Sequence, residues 1–158
     1  MFYKGKKMLL MGSSKYREPH LPEEIQEIID TAIQHEMTFI VAEAHGSCRL
    51  FQDYLAAKKY RNVIIGHARS IRYNVGNWST VKFGDVLKER ELNMIRDCVS
   101  AVVIWQDNSG VIAENLEYLK KFSKPTYVYE YDSGTGIVSS GMIDPDRVYR
   151  TYFSHRRR

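Results

Sequence analysis

The sequence predicts an α/β domain: a parallel sheet with helices on both faces and a C-terminal β-hairpin extension. Two observations carry this. Short apolar runs alternate with helix-period segments four times, the pattern of a parallel sheet joined by right-handed crossovers. Small polar clusters also follow three of the apolar runs, at Gly12-Ser13-Ser14, at residues 43–47 and at residues 106–110. In such a sheet these turns lie together at the carboxyl rim, where open parallel sheets bind ligands.

Taken in order, Lys7 to Met11 reads as the first strand. Pro22, Glu23 and Glu24 start a helix, with proline in the first turn and acids near the dipole's positive end. Ile25, Ile28, Ile29, Ala32 and Ile33 then fall on one helical face. Thr38 to Ala42 is the second strand, and Leu50, Phe51, Tyr54 and Leu55 make the next helix amphipathic. Asn62 to Gly66 is the third strand. His67 to Gly84 reads as one long loop, rich in Arg, Asn, Tyr and Trp, and loops of that length are usually functional. Asp85 is placed to cap a third helix, with Val86, Leu87, Met94 and Ile95 apolar. The run Ala101 to Trp105 is bounded by turn formers and reads as a buried strand. After the turn at Asp107, Asn108, Ser109 and Gly110, a helix runs to Lys124-Pro125, and Thr126 begins another strand. Ile137 to Ser140 is expected to pair back as a hairpin strand.

The chain has 158 residues, enough for one domain over residues 1–150, with 151–158 left as a basic tail. Apolar residues at 44% and charged residues at 27% exclude a disordered or fibrous chain. No apolar run approaches the length needed to span a bilayer, and the N-terminal residues do not read as a signal peptide. Two cysteines form no disulfide framework and suit a reducing cytoplasm, the expected location. Of the net charge of +4, Arg156, Arg157 and Arg158 supply three. The rest of the chain is therefore near neutral, which argues against a nucleic-acid-binding face. The histidines and cysteines show no metal-ligand spacing, so no metal is expected, and no cofactor either.

The rim motifs give a resemblance. Gly12-Ser13-Ser14 follows strand one. Arg90-Glu91-Leu92-Asn93-Met94 precedes the strand of residues 101–105. Gln106-Asp107-Asn108-Ser109-Gly110-Val111-Ile112-Ala113-Glu114 follows that strand. In this order they resemble motifs of the SLOG superfamily of Rossmann-like proteins. These include the lonely-guy phosphoribohydrolases, with Gly-Ser-Ser, Arg-Lys-x-x-Met and Pro-Gly-Gly-x-Gly-Thr-x-x-Glu. Residues 42–48 are closer to the Gly-x-Ala-x-Gly-x-Asp turn of DprA-type members, of which Gly46 is kept. Nucleoside deoxyribosyltransferases are similar in form.

The resemblance covers roughly residues 7–131. It implies a site for a nucleoside or nucleotide-derived small molecule, a homodimer or higher homo-oligomer, and catalytic roles for Arg90 and Glu114 at an N-glycosidic bond. The chain departs from the motifs: Glu91 takes the place of lysine in Arg-Lys-x-x-Met. The phosphate loop lacks its double glycine and threonine, and Asp107 adds a negative charge there.

Each candidate residue also has a plainer reading. Glu114 is either the carboxylate at the sugar or an acid favoured by the helix dipole. Arg90 either orients substrate or is a helix residue paired with Glu91 or Asp97. Ser13 and Ser14 either face a ligand or satisfy turn backbone. Glu43, at the end of strand two, is suited to accept from ribose hydroxyls, and His45 and Gly46 complete that turn. Arg69, Arg72 and Asn77 can grip phosphate. Trp78 is either a stacking lid or core. Asp107, Asn108, Ser109 and Gly110 are turn formers placed to meet ligand hydroxyls. Two functions stay open: an enzyme that cleaves or transfers an N-glycosidic bond, and a binding protein for a nucleotide signal such as an ADP-ribose derivative.

Overall fold

The structure is a computed structural model that describes residues 2–150. The basic tail of residues 151–158, with its three arginines, lies outside the described residues. Among the described residues seven strands, β1 (Lys7–Gly12), β2 (Thr38–Ala42), β3 (Val63–His67), β4 (Ser79–Lys82), β5 (Ser100–Gln106), β6 (Thr126–Tyr131) and β7 (Val138–Met142), form one sheet in the order β4-β3-β2-β1-β5-β6-β7. Six run parallel, and β7 (Val138–Met142) pairs antiparallel with β6 (Thr126–Tyr131) as the expected hairpin.

Strand β1 (Lys7–Gly12) is central, flanked by β2 (Thr38–Ala42) and β5 (Ser100–Gln106). Met8, Leu9 and Leu10 of β1 and Ala101 to Ile104 of β5 are fully buried. That is why both segments read as continuous apolar runs rather than alternating ones: a parallel strand covered on both faces has no solvent side.

The chain moves outward from β1 through β2 to β3 (Val63–His67), then returns across the sheet to β5 and β6. Right-handed crossovers in opposite directions put their helices on opposite faces. Helix α1 (Glu23–Gln34) and α2 (Ser47–Ala57) pack together, tied where the Tyr54 hydroxyl donates to Asp30 at 2.6 Å. Helix α3 (Leu87–Asp97) packs on α4 (Gly110–Lys121) across the other face. No helix among the described residues is long and apolar enough to cross a membrane.

Two expectations are corrected. The segment between β3 and α3 is not one loop, because Ser79–Lys82 forms β4, parallel to β3 at the sheet edge. All four of its residues are exposed, so it has no buried face to give an apolar period. Asp85 does not cap α3, which begins at Leu87. Instead the Glu89 carboxylate reaches back and accepts from the backbone N–H groups of Asp85 (2.9 Å) and Val86 (3.3 Å).

Candidate functional site

Strand order reverses direction between β1 and β5, and doubly wound sheets open a crevice at that switch point. The turns after β1 and β5 meet the start of α2 there, fastened through Ser13. Its backbone N–H donates to the Ile104 carbonyl at 2.9 Å, and its hydroxyl accepts from the Gln106 N–H at 2.9 Å. The Ser13 carbonyl accepts from the Ser47 N–H (3.2 Å) and hydroxyl (2.9 Å). The Ser109 hydroxyl lies 3.2 Å from that of Ser13.

Such close approach needs glycine. A Cβ on Gly12 would sit 2.8 Å from the Ile104 carbonyl oxygen and from the Ser47 side chain. Gly46 has φ of 69°, and a Cβ there would lie 2.3 Å from the Ser14 carbonyl oxygen.

Beside this junction opens a cavity of about 510 Å³. Ser13, Ser14 and Lys15 line one side, with Ser109, Gly110 and Val111 at the start of α4. The first turn of a helix directs backbone N–H groups and a positive dipole end outward, a ready anion site. Further along lie Glu114, Asn115 and Tyr118 of α4 and Leu87, Arg90 and Glu91 of α3, with Ala44 and Cys48 beneath. Burial pushes the Cys48 thiol up to about 12, so it is a neutral wall atom. Glu114 stands on the wall with its side chain 51% exposed, and Lys88 Nζ approaches its Oε1 at 3.5 Å.

A charge cluster, buried apart from the partly exposed Arg72, forms the floor. Glu43 is 1% exposed and accepts from Arg72 through Nε (2.7 Å), Nη2 (3.0 Å) and the backbone N–H (3.2 Å), and from Arg90 Nη1. Burial would raise its pKa, but the Arg72 hydrogen bonds and the charges of Arg90 and Arg72 outweigh that and hold it below the usual carboxylate value. Arg90, 5% exposed, also reaches Glu91 Oε2 through Nε at 3.3 Å. Glu91 Oε1 accepts from Asn115 Nδ2 at 3.1 Å. Here burial wins over Arg90 and Asn115, and the Glu91 pKa is raised.

No family model, curated protein or solved structure matches the chain.

The site residues expected from sequence therefore divide. Gly12, Ser13, Ser14, Arg72, Arg90, Ser109, Gly110 and Glu114 line the cavity together. Arg69 and Glu43 line an adjoining cavity of about 440 Å³, which shares Arg72 and Leu87 with the first. The Glu43 oxygens already hold two arginines, so it is a floor anchor rather than an open acceptor for ribose hydroxyls. Arg90 is correspondingly engaged by two carboxylates and is not a free substrate grip.

Trp78 is a core residue, not a lid. It is 4% exposed, and its indole N–H donates to the Tyr60 carbonyl at 2.8 Å. Asn77 is an exposed turn residue whose carbonyl accepts from Arg61. His45 points to the Tyr73 hydroxyl at 3.0 Å, away from the cavity lining. Asp107 and Asn108 adopt left-handed φ of 52° and 53° as turn formers. The Asp107 carboxylate ties down Ser133 through its N–H (2.8 Å) and hydroxyl (2.6 Å), which fixes the hairpin turn against β5.

From sequence, Glu91 stands out as a departure from the motif and as one of two candidate partners of Arg90, the one the structure pairs with it at 3.3 Å; Asn115 is not singled out. A signal was present for Glu91: it lies four residues before Ile95, a buried apolar position of α3. Among the described residues, no group of three or more His, Cys, Asp or Glu side chains is arranged to hold a metal.

Proposed function

We propose that the protein binds a nucleoside or nucleotide-derived small molecule in the rim cavity and cleaves or transfers its N-glycosidic bond. The observation that carries this reading is the position of Glu114. It stands one turn into α4, on the wall of a nucleoside-sized cavity at the switch point, accessible and, among the described residues, held by an exposed lysine. As a bond from the sugar carbon to a base nitrogen breaks, positive charge grows on the sugar. A carboxylate stabilises that charge or attacks the carbon. The α4 N-terminus and Lys15 suit a phosphate on the same sugar. The resemblance to the SLOG superfamily supports the same reading through Gly12-Ser13-Ser14 and Glu114, and extends it to a homo-oligomer, testable by light scattering.

One observation favours a second reading, a protein that only binds or senses the nucleotide. Arg90, the residue expected to orient substrate, is already committed to Glu43 and Glu91.

Mass spectrometry separates the two. Pure protein is incubated with nucleosides, nucleoside monophosphates, NAD and ADP-ribose derivatives, and both solution and denatured protein are analysed. Release of free base by the wild type, lost in Glu114→Gln, supports chemistry. Intact nucleotide released only on denaturation supports binding alone. Base release that survives Glu114→Gln would overturn the role of Glu114.

A further inference from the structure

The cavity contains a recognition element that the rim motifs do not explain. Glu91 occupies the second position of the Arg-x-x-x-Met segment, and its carboxyl group lies in the cavity wall between α3 and α4. Each of its two oxygens has one partner, Asn115 Nδ2 at 3.1 Å and Arg90 Nε at 3.3 Å. A carboxylate offers about four lone-pair positions. One contact on each oxygen leaves capacity on both for further donors, and the group is fixed in orientation before any ligand arrives. Arg90 is itself fixed by Glu43.

The charge layout also sets which end of a ligand comes here. Lys15 and the first turn of α4 favour an anion, whereas the other cations of the lining, Arg72, Lys88 and Arg90, are engaged by Glu43, Glu114 and Glu91. The Glu91 carboxyl, held by Asn115 and Arg90, presents acceptor positions suited to N–H donors. From Gly110 to Tyr118 the cavity follows α4 for about 12 Å, at 1.5 Å per residue. A phosphate at the first turn therefore directs its base toward Glu91. Leu87 and Tyr118 supply apolar surface for the base's faces.

We propose that Glu91, positioned by Asn115 and Arg90, is the specificity determinant of this cavity and selects nucleotides whose base carries an exocyclic amino group. An ionised Glu91 accepts from that amine and from an adjacent ring N–H. A protonated Glu91 accepts from the amine and donates its O–H to an adjacent ring nitrogen. The amine is required in both cases. The proposal rests on the cavity's being a nucleotide site, as proposed above, and does not depend on whether the bond is cleaved.

The test is calorimetric titration of wild-type protein with GMP, AMP and CMP, against IMP and UMP, which lack the amine. Where a nucleotide is turned over, its titration and that of its amine-free counterpart are repeated in Glu114→Gln. A site built to hydrogen-bond an amine rejects the analogue without it. At least one amino-bearing nucleotide is therefore expected to bind at least about tenfold tighter than its amine-free counterpart. Glu91→Ala is expected to bring that ratio close to one, with phosphate-dependent affinity retained. Equal affinities in the wild type would overturn the proposal without any variant having to fold. So would a folded Glu91→Ala protein that keeps the ratio. Absence of binding by every nucleotide would overturn the nucleotide-site reading as well, so the two failures are distinguishable.

Discussion

Replacing Arg90 by methionine keeps most of the side-chain volume and removes a charge that two buried acids share. Glu43 would be left with Arg72 alone, and Glu91 with Asn115 alone. Breaking a buried ion pair by deleting one partner costs about 3–5 kcal/mol, because a charge stays buried without compensation. The Arg72 side chain is 40% exposed and stays on Glu43, which points to the lower end, about 3 kcal/mol. In a domain of this size each kcal/mol moves Tm by about 2–4 °C, so a fall of roughly 6–12 °C is expected. Thermal and urea melts at neutral pH measure it. The double variant Glu43→Leu/Arg90→Met removes both charges together, so its loss should fall short of the sum of the single losses by about 1–3 kcal/mol. A loss below about 1 kcal/mol for Arg90→Met, or strict additivity in the cycle, would show a solvated pair and refute the reasoning.

Stability should also depend on pH in two opposite ways. Glu43 has a folded pKa below its unfolded value, so its contribution is present above about pH 4.3 and is lost as pH falls through the folded value. Glu91 has a raised folded pKa, so the folded protein keeps a proton that the unfolded chain releases. Its contribution is lost as pH rises from about 4.3 through the folded value. Urea midpoints across that range should show Glu91→Gln flattening the second limb and leaving the first, and an unchanged profile would contradict the burial of Glu91. Trp78→Phe should cost about 1 kcal/mol for the lost Tyr60 hydrogen bond, plus the smaller ring's lost packing, and leave ligand affinity unchanged. A fall in affinity with no change in Tm would restore Trp78 to the site. Gly46→Ala must accept both a left-handed φ and a backbone clash with Ser14, so it should destabilise by more than about 1 kcal/mol. A neutral result in urea would mean that the rim turn relaxes freely.

The sequence determined most of the elements and much of the rim. The apolar runs at residues 7–11 and 101–105, and the inward face of α1, follow from local periodicity, which records which side of a segment is buried. Topology then carried Gly12-Ser13-Ser14 and Ser109-Gly110 to one crevice, since strand ends of a parallel sheet share an edge. Local pattern has no access to what those residues meet there. Strand β4 is exposed at every position and exists through backbone pairing with β3, so no side-chain period announced it. Trp78 was equally consistent with a lid and with the core until the Tyr60 carbonyl was found beside it. The floor cluster joins Glu43 at the end of β2, Arg72 in a loop, Arg90 and Glu91 on α3, and Asn115 on α4. Glu43 and Arg90 stand 47 positions apart. A charged residue carries the same sequence signature whether it ends in water or beside a partner, and only the packing of those elements decided which.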